Sequence, residues 1–299
     1  MSVSRLIRVV ELRGGKNIAD EMFILSRDGR YVINTHEKYI NVWDAETGEH
    51  VGVWKLRFNL PFPTDMDAID NMLVAYRGSN IVFLSLSDMV ILREIPNAHD
   101  TRIFTVRICP DKRYILTASK NDIKIWDLHG GLKWGMSGIK ISAGFMTPTF
   151  DPEYHVVAYE RKKHIYIRDL ETNNILAIKK CGGQSYPTVV SKKYNLVVGA
   201  DVTSIHLYSI NPPECIKKIS FSEWLLSVRY DLEVDRIVIC NGRKVLVVDP
   251  RDKSISEIVI DGKDSAIFDA AWVSPKILRL VGWKEWLKLH VYDYEFALL

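Results

Sequence analysis

One recurrence constrains this chain more than any other feature. A short apolar segment, closed by a bulky residue and then usually a polar one, returns seven times along 299 residues. The best-formed copies are Ile40-Asn41-Val42-Trp43-Asp44 and Ile123-Lys124-Ile125-Trp126-Asp127. Weaker copies run Ile81–Ser85, Ile165–Asp169, Ile205–Ser209, Val245–Asp249 and Leu289–Asp293. The position of Trp43 recurs at 84, 126, 168, 208, 248 and 292, at spacings of 41, 42, 42, 40, 40 and 44 residues. In the unit around Trp126, the alternating run Ile103–Ile108 meets the polar turn Pro110-Asp111-Lys112-Arg113. A second apolar run, Tyr114–Ala118, and another short turn lead into the repeated segment. Alternation of period two, punctuated by turns, predicts short antiparallel strands.

A period of about 40–45 residues with four strands per unit is that of a propeller blade. The run Asn97–Asp127 resembles one repeat of the WD40 β-propeller family: it ends in Trp-Asp, carries His99 at the family's position, and has a turn similar to the family's Ser-Pro-Asp-Gly. Two of the seven copies resemble the family closely, and the other five match it in spacing and alternation. In that family the matching histidine joins a buried hydrogen-bond chain to an Asp, a Ser or Thr, and the Trp. Here Ser119 and Trp126 are in place, but Lys120 stands where the family has its Asp. His99 is therefore expected to be structural and incompletely networked. The expected fold is all-β: a seven-bladed propeller of four antiparallel strands per blade, filling residues 1–299 as one domain. The seventh unit, Phe268–Val273, Ile277–Val281 and Leu287–Tyr292, lacks an outer strand, and residues 6–12 are expected to supply it. Blade 7 would then combine residues 6–12 with 268–293, leaving no open ring edge.

Net charge is +3, so bulk electrostatics demand neither nucleic acid nor membrane. No apolar run approaches the ~20 residues that span a bilayer, and the first twelve residues lack a signal-peptide pattern, so the expected location is cytoplasmic. The four cysteines (Cys109, Cys181, Cys215, Cys240) form no Cys-x-x-Cys pair, which gives a zinc site no support. Thiols are the ordinary expectation and a disulfide the alternative. Gln184 is the one glutamine, and this scarcity of glutamine with abundant charge points toward a thermophilic, archaeal source, where intracellular disulfides occur.

No phosphate loop, no nucleophile elbow and no histidine pair with metal-ligand spacing is present. Carboxylates do not gather as a paired acid and base would. The first strands offer mostly apolar or hydroxyl residues. The expectation is thus no catalysis, no metal and no cofactor. The WD40 resemblance implies a scaffold, a single ring that offers surfaces to protein partners within a larger assembly. Propellers bind at loops, because strands are consumed by packing. The turns between second and third strands read Glu37-Lys38, Arg77-Gly78, Lys120-Asn121, Arg161-Lys162-Lys163, Asp201-Val202, Arg243-Lys244 and Lys284-Glu285. Their cations would converge near the top mouth of the channel, where an acidic segment or a phosphate would be attracted. The residues just before the first strands are Ala19, Pro63, Arg102, Gly144, Gln184, Trp224 and Ile267. Trp and Arg are over-represented among binding hot spots, which singles out Trp224 and Arg102 as anchors of a protein-docking face. A nucleic-acid- or phosphate-binding module using the basic mouth is the alternative function.

Overall fold

A computed structural model of the chain describes residues 4–15, 23–36, 38–56, 66–139, 148–182, 185–259, 266–284 and 288–296. The recurring segments are the third strands of seven four-stranded antiparallel sheets. They run Tyr39–Asp44, Asn80–Ser85, Asp122–Asp127, His164–Asp169, Ser204–Ser209, Lys244–Val248 and Lys288–Phe296. Each sheet is covered on both faces by its neighbours, so side chains pointing either way are buried. This is why even a polar second position can be buried, as at Asn41 and His206, and why Val82 and Leu246 stand there in other blades. The innermost strands, around the axis, are Phe23–Leu25, Asp67–Ile69, Ile103–Ile108, Thr149–Asp151, Tyr186–Ser191, Ser227–Asp231 and Ala266–Ser274. Seven apolar clusters among the described residues each join two adjacent blades, so the core is itself a ring.

The ring closes as the missing outer strand predicted. Ser4–Glu11 pairs antiparallel with Lys288–Phe296, setting Val9 against Tyr292 and Glu11 against His290. Leu12 continues the pairing through its N–H to the Leu289 carbonyl (2.9 Å) and is buried between blades 7 and 1. Leu6, Ile7 and Val9 remain on the outer surface. Behind this pairing, Arg279 donates to Asp293 (2.7 and 2.9 Å) and to Glu46 of blade 1 (2.7 Å).

Inner-strand carboxylates latch blades together, which corrects the expectation of apolar and hydroxyl first strands. Asp67 of blade 2 accepts two bonds from Arg27 of blade 1 (2.9 and 2.7 Å) and one from the Ile108 N–H of blade 3 (3.0 Å). Asp269 of blade 7 accepts from Ser227 (2.6 Å) and Arg229 of blade 6 and from the Leu25 N–H of blade 1 (2.8 Å). Asp151 of blade 4 accepts the Lys192 N–H of blade 5 (2.8 Å). Asp67 and Asp269 thereby each pair buried groups across three consecutive blades, and Asp151 across two.

Blade 3 corrects the reading of His99. The acceptor is Asp122, the first residue of the third strand, while Lys120 sits exposed at the hairpin tip. The chain of bonds runs one way. Trp126 Nε1–H donates to Thr117 Oγ1 (2.8 Å), the Thr117 hydroxyl lies 2.7 Å from His99 Nε2, and His99 Nδ1 lies 2.7 Å from Asp122 Oδ1. Ser119 also bonds Asp122, so the network is complete, with Thr117 rather than Ser119 as its central hydroxyl. Burial pushes the His99 pKa down and outweighs the pull of Asp122 upward, so the ring is neutral, with Nδ1–H donating and Nε2 accepting. A histidine held below its unfolded value contributes stability that is complete above pH ~6.5 and is lost as pH falls from there through the lower folded value.

The third strands end as the turn chemistry predicts. Asp44 Oδ1 accepts the N–H groups of Glu46 and Thr47 (both 2.8 Å), and Asp127 Oδ1 accepts those of His129 (2.9 Å) and Gly131 (2.8 Å). Contrary to the expectation of thiols, Cys181, just beyond the outer strand of blade 4, is disulfide-bonded to Cys215 in the outer strand of blade 5. Cys109 and Cys240 are buried thiols.

Two measurements check this architecture. Deleting residues 1–13 should abolish the single cooperative melting transition followed by circular dichroism, or give aggregate; an unchanged melt would disprove the closure. Thr117→Val keeps the shape but strands His99 Nε2 and the Trp126 N–H, and should cost about 2–4 kcal/mol in urea unfolding.

Candidate functional site

The top face is built by the loops between blades and by the turns between second and third strands. Its best-defined part lies over blades 5 and 6. The chain leaves the outer strand of blade 5 (Glu214–Ser220) and crosses to Ser227 of blade 6. Along the way Phe221 N–H bonds Thr203 O, Leu225 N–H bonds Val202 O, and Leu226 N–H bonds Cys240 O, each at 2.8 Å. The loop is therefore clamped to the hairpins of both blades, and Leu225 is buried beneath it. Trp224, one residue earlier, is 71% exposed, and Val202 beside it is 51% exposed. An indole held on a pinned loop loses little conformational freedom when a partner covers it.

Arg243 borders this patch. Its backbone N–H donates to Glu223 Oε2 (3.1 Å), and its guanidinium pairs with the same carboxylate (3.3 Å). Gly242 is needed for this approach. Its φ is +58°, and a Cβ there would stand 2.0 Å from Glu223 Oε2.

Arg102 is exposed on the loop that enters blade 3. The Ile103 N–H bonds Gly78 O (2.8 Å), which brings Arg102 beside the Arg77-Gly78 hairpin. Arg77 is paired with Glu94 (2.5 Å). Lys120 is exposed at the next hairpin, and Arg161, Lys162 and Lys163 form the exposed tip of blade 4, with Lys162 at φ +58°. Just inside that tip, Lys180 bonds the buried Glu160 carboxylate (2.8 Å).

The predicted residues thus fall into two groups. Arg77, Arg102, Lys120 and the 161–163 tip make an arc over blades 2 to 4, and Trp224 with Arg243 makes a patch on blade 6. Trp224 and Arg102 are three blades apart in a ring of seven, so they anchor opposite sides of the disc rather than one face patch. The predicted cationic ring is diluted, because Arg77 and Arg243 each hold a glutamate. Ile267 is not a rim residue: it is fully buried in the inner strand of blade 7 and bridges Gly242. Ala19, Pro63, Gly144, Gln184, Glu37 and Glu285 lie outside the described residues.

No protein-family model matches the chain, and no curated protein matches it in sequence. The site therefore has to be read from its own geometry. Among the described residues no group of three or more His, Cys, Asp or Glu is arranged to hold a metal ion, and no helix is long and apolar enough to cross a membrane. Val202, whose carbonyl receives the Leu225 N–H at the foot of the Trp224 loop, was not singled out by the sequence. Its signal was an apolar residue in a turn otherwise made of Asp201 and Thr203.

Because the indole contacts solvent more than protein, Trp224→Ala should leave the melting midpoint within about 0.5 kcal/mol of the parent in stability. A larger loss in a denaturation curve would show that Trp224 serves packing.

Proposed function

We propose that this protein is a non-catalytic, WD40-like scaffold that docks a protein partner on its top face, with Trp224 as the anchor. Propellers commonly act as interaction scaffolds, but fold alone does not assign function, and the reading is carried by Trp224. An exposed tryptophan beside an exposed valine, on a loop fixed by three backbone hydrogen bonds and rimmed by an Arg–Glu pair, has the make-up of an interface hot spot. WD40 membership is supported by the completed hydrogen-bond chain of blade 3 and by the 40–44-residue period. The reading includes a cytoplasmic location, which the Cys181–Cys215 disulfide fits in an organism that keeps intracellular disulfides.

The exposed Arg161-Lys162-Lys163 tip favours a second reading, binding of nucleic acid. Net charge of +3 and the pairing of Arg77 and Arg243 weigh against it. The two separate by experiment. Affinity capture from the source cells, followed by mass spectrometry, should return a protein retained by the parent and lost by a folded Trp224→Ala variant. The reading falls if Trp224→Ala retains every partner while an oligonucleotide binds tightly at low salt, weakens steeply as salt rises, and is lost when Arg161, Lys162 and Lys163 are changed together to Glu.

A further inference from the structure

The strongest concentration of positive charge is on the axis rather than on the rim. A cavity of about 40 Å³ is lined by residues of blades 1, 3, 4, 5 and 6, among them Arg27, Arg107, Thr149, Thr188 and Arg229. Only the axis of a propeller touches the inner strands of blades that are not neighbours. Three guanidinium groups therefore approach one point from three sides.

Each of them is fixed by the fold. Arg27 is held by Asp67, and its side chain is 12% exposed. Arg107 Nη1 donates to the carbonyls of Val106 (2.9 Å) and Met66 (3.2 Å), which orient it and carry no net charge. Arg229 bonds Asp269 and the Leu25 carbonyl (2.7 Å) through Nη2, and its side chain is 11% exposed. Its Nη1 is buried with no hydrogen-bond partner among the described residues. Burial would raise the Asp67 pKa, yet Arg27, Arg229 and Arg107 together hold it down, so all three act on one locus. Among the described residues, three guanidinium groups meet two latch carboxylates here, Asp67 and Asp269, leaving one positive charge in excess.

The mouth on the opposite face is barred. Lys112, at φ +59° in the blade 3 turn, reaches Asp231 (3.7 Å) and Glu233 (3.4 Å) in the turn of blade 6. Blades 3 and 6 stand across the ring, so this contact spans the axis beneath the arginines. A smaller cavity of about 10 Å³ lies there, lined by Arg27, Lys112, Arg229, Asp231 and Trp272.

We propose that the axial cavity is a binding site for one small oxyanion of the size of inorganic phosphate, received by Arg27, Arg107 and Arg229. The chemistry follows from the donors. Guanidinium groups match tetrahedral and planar oxyanions with paired N–H bonds, and low-dielectric walls strengthen the attraction. The volume exceeds the ~10–15 Å³ that one water needs and is small for a nucleotide. A free anion is therefore favoured over a phosphate carried on a large molecule. The proposal does not depend on the docking role of Trp224.

Equilibrium dialysis of the full chain with radiolabelled inorganic phosphate tests it. About one phosphate should bind per chain, sulfate should compete, and adenosine monophosphate should not. Arg107→Gln should weaken binding about tenfold or more, the loss of one charge-assisted contact, whereas Arg161→Gln on the rim should leave it unchanged. Absence of saturable binding to the parent protein, or equal displacement by chloride at the same ionic strength, would overturn the proposal, and neither result needs a variant to fold. Competition by adenosine monophosphate would assign the site to phosphate esters rather than the free ion and would refute the size argument. Loss of binding in Arg161→Gln with retention in Arg107→Gln would move the anion to the rim.

Discussion

The pairing of Ser4–Glu11 with Lys288–Phe296 is the contact on which the rest of the ring depends. Each apolar cluster is shared by two adjacent blades, so blades 1 and 7 would each leave one face open unless the circle is complete. The cluster between blades 7 and 1 draws on Leu12, which the same N-terminal segment delivers. Joining residues nearly 300 positions apart carries an entropic cost that grows only with the logarithm of the loop. That cost is met by a full strand of backbone hydrogen bonds and by the Arg279 bonds to Asp293 and Glu46 behind it.

The repeat was legible because burial between neighbouring blades keeps the first and third positions of the repeated segment apolar in every copy, whatever stands at the second. The closure was legible by counting strands, since a three-stranded last blade leaves Leu289–Tyr292 as an open edge. The His99 chain was misread for a physical reason. The family pattern ties the acceptor to a turn position, which Lys120 occupies. In space, what matters is that the hairpin brings Asp122 back over the ring of His99, and Lys120 at the tip points to solvent. The disulfide was illegible because its halves come from the outer edges of different blades, one just past a strand and one within a strand, 34 residues apart, and no local spacing marks such a pair.

The rim was partly legible. Residue type and turn position found Trp224, Arg102 and the 161–163 tip, and all of them are exposed. What sequence position could not supply was adjacency around the disc. A ring of seven sets blades 3 and 6 nearly as far apart as the molecule allows, so residues alike in pattern serve different surfaces. Nor does a count of cations in turns reveal that Glu94 and Glu223 have come from other segments to meet Arg77 and Arg243.

The axial charges raise a different question, because they are costly where they stand. Taking a guanidinium and a carboxylate out of water costs several kcal/mol per ion, and a well-packed apolar pair often stabilises a fold as well or better. The latch at Asp151 shows that this propeller can join blades with a carboxylate and a backbone N–H and no arginine. Stability alone therefore does not account for Arg27 and Arg229. Burial pushes the Asp269 carboxyl upward even with Arg229 beside it, which marks a site where negative charge is held at some expense. Arg229 ties Asp269 of blade 7 and the Leu25 carbonyl of blade 1 to blade 6 at once, a fixed three-blade geometry that a non-directional apolar contact does not impose.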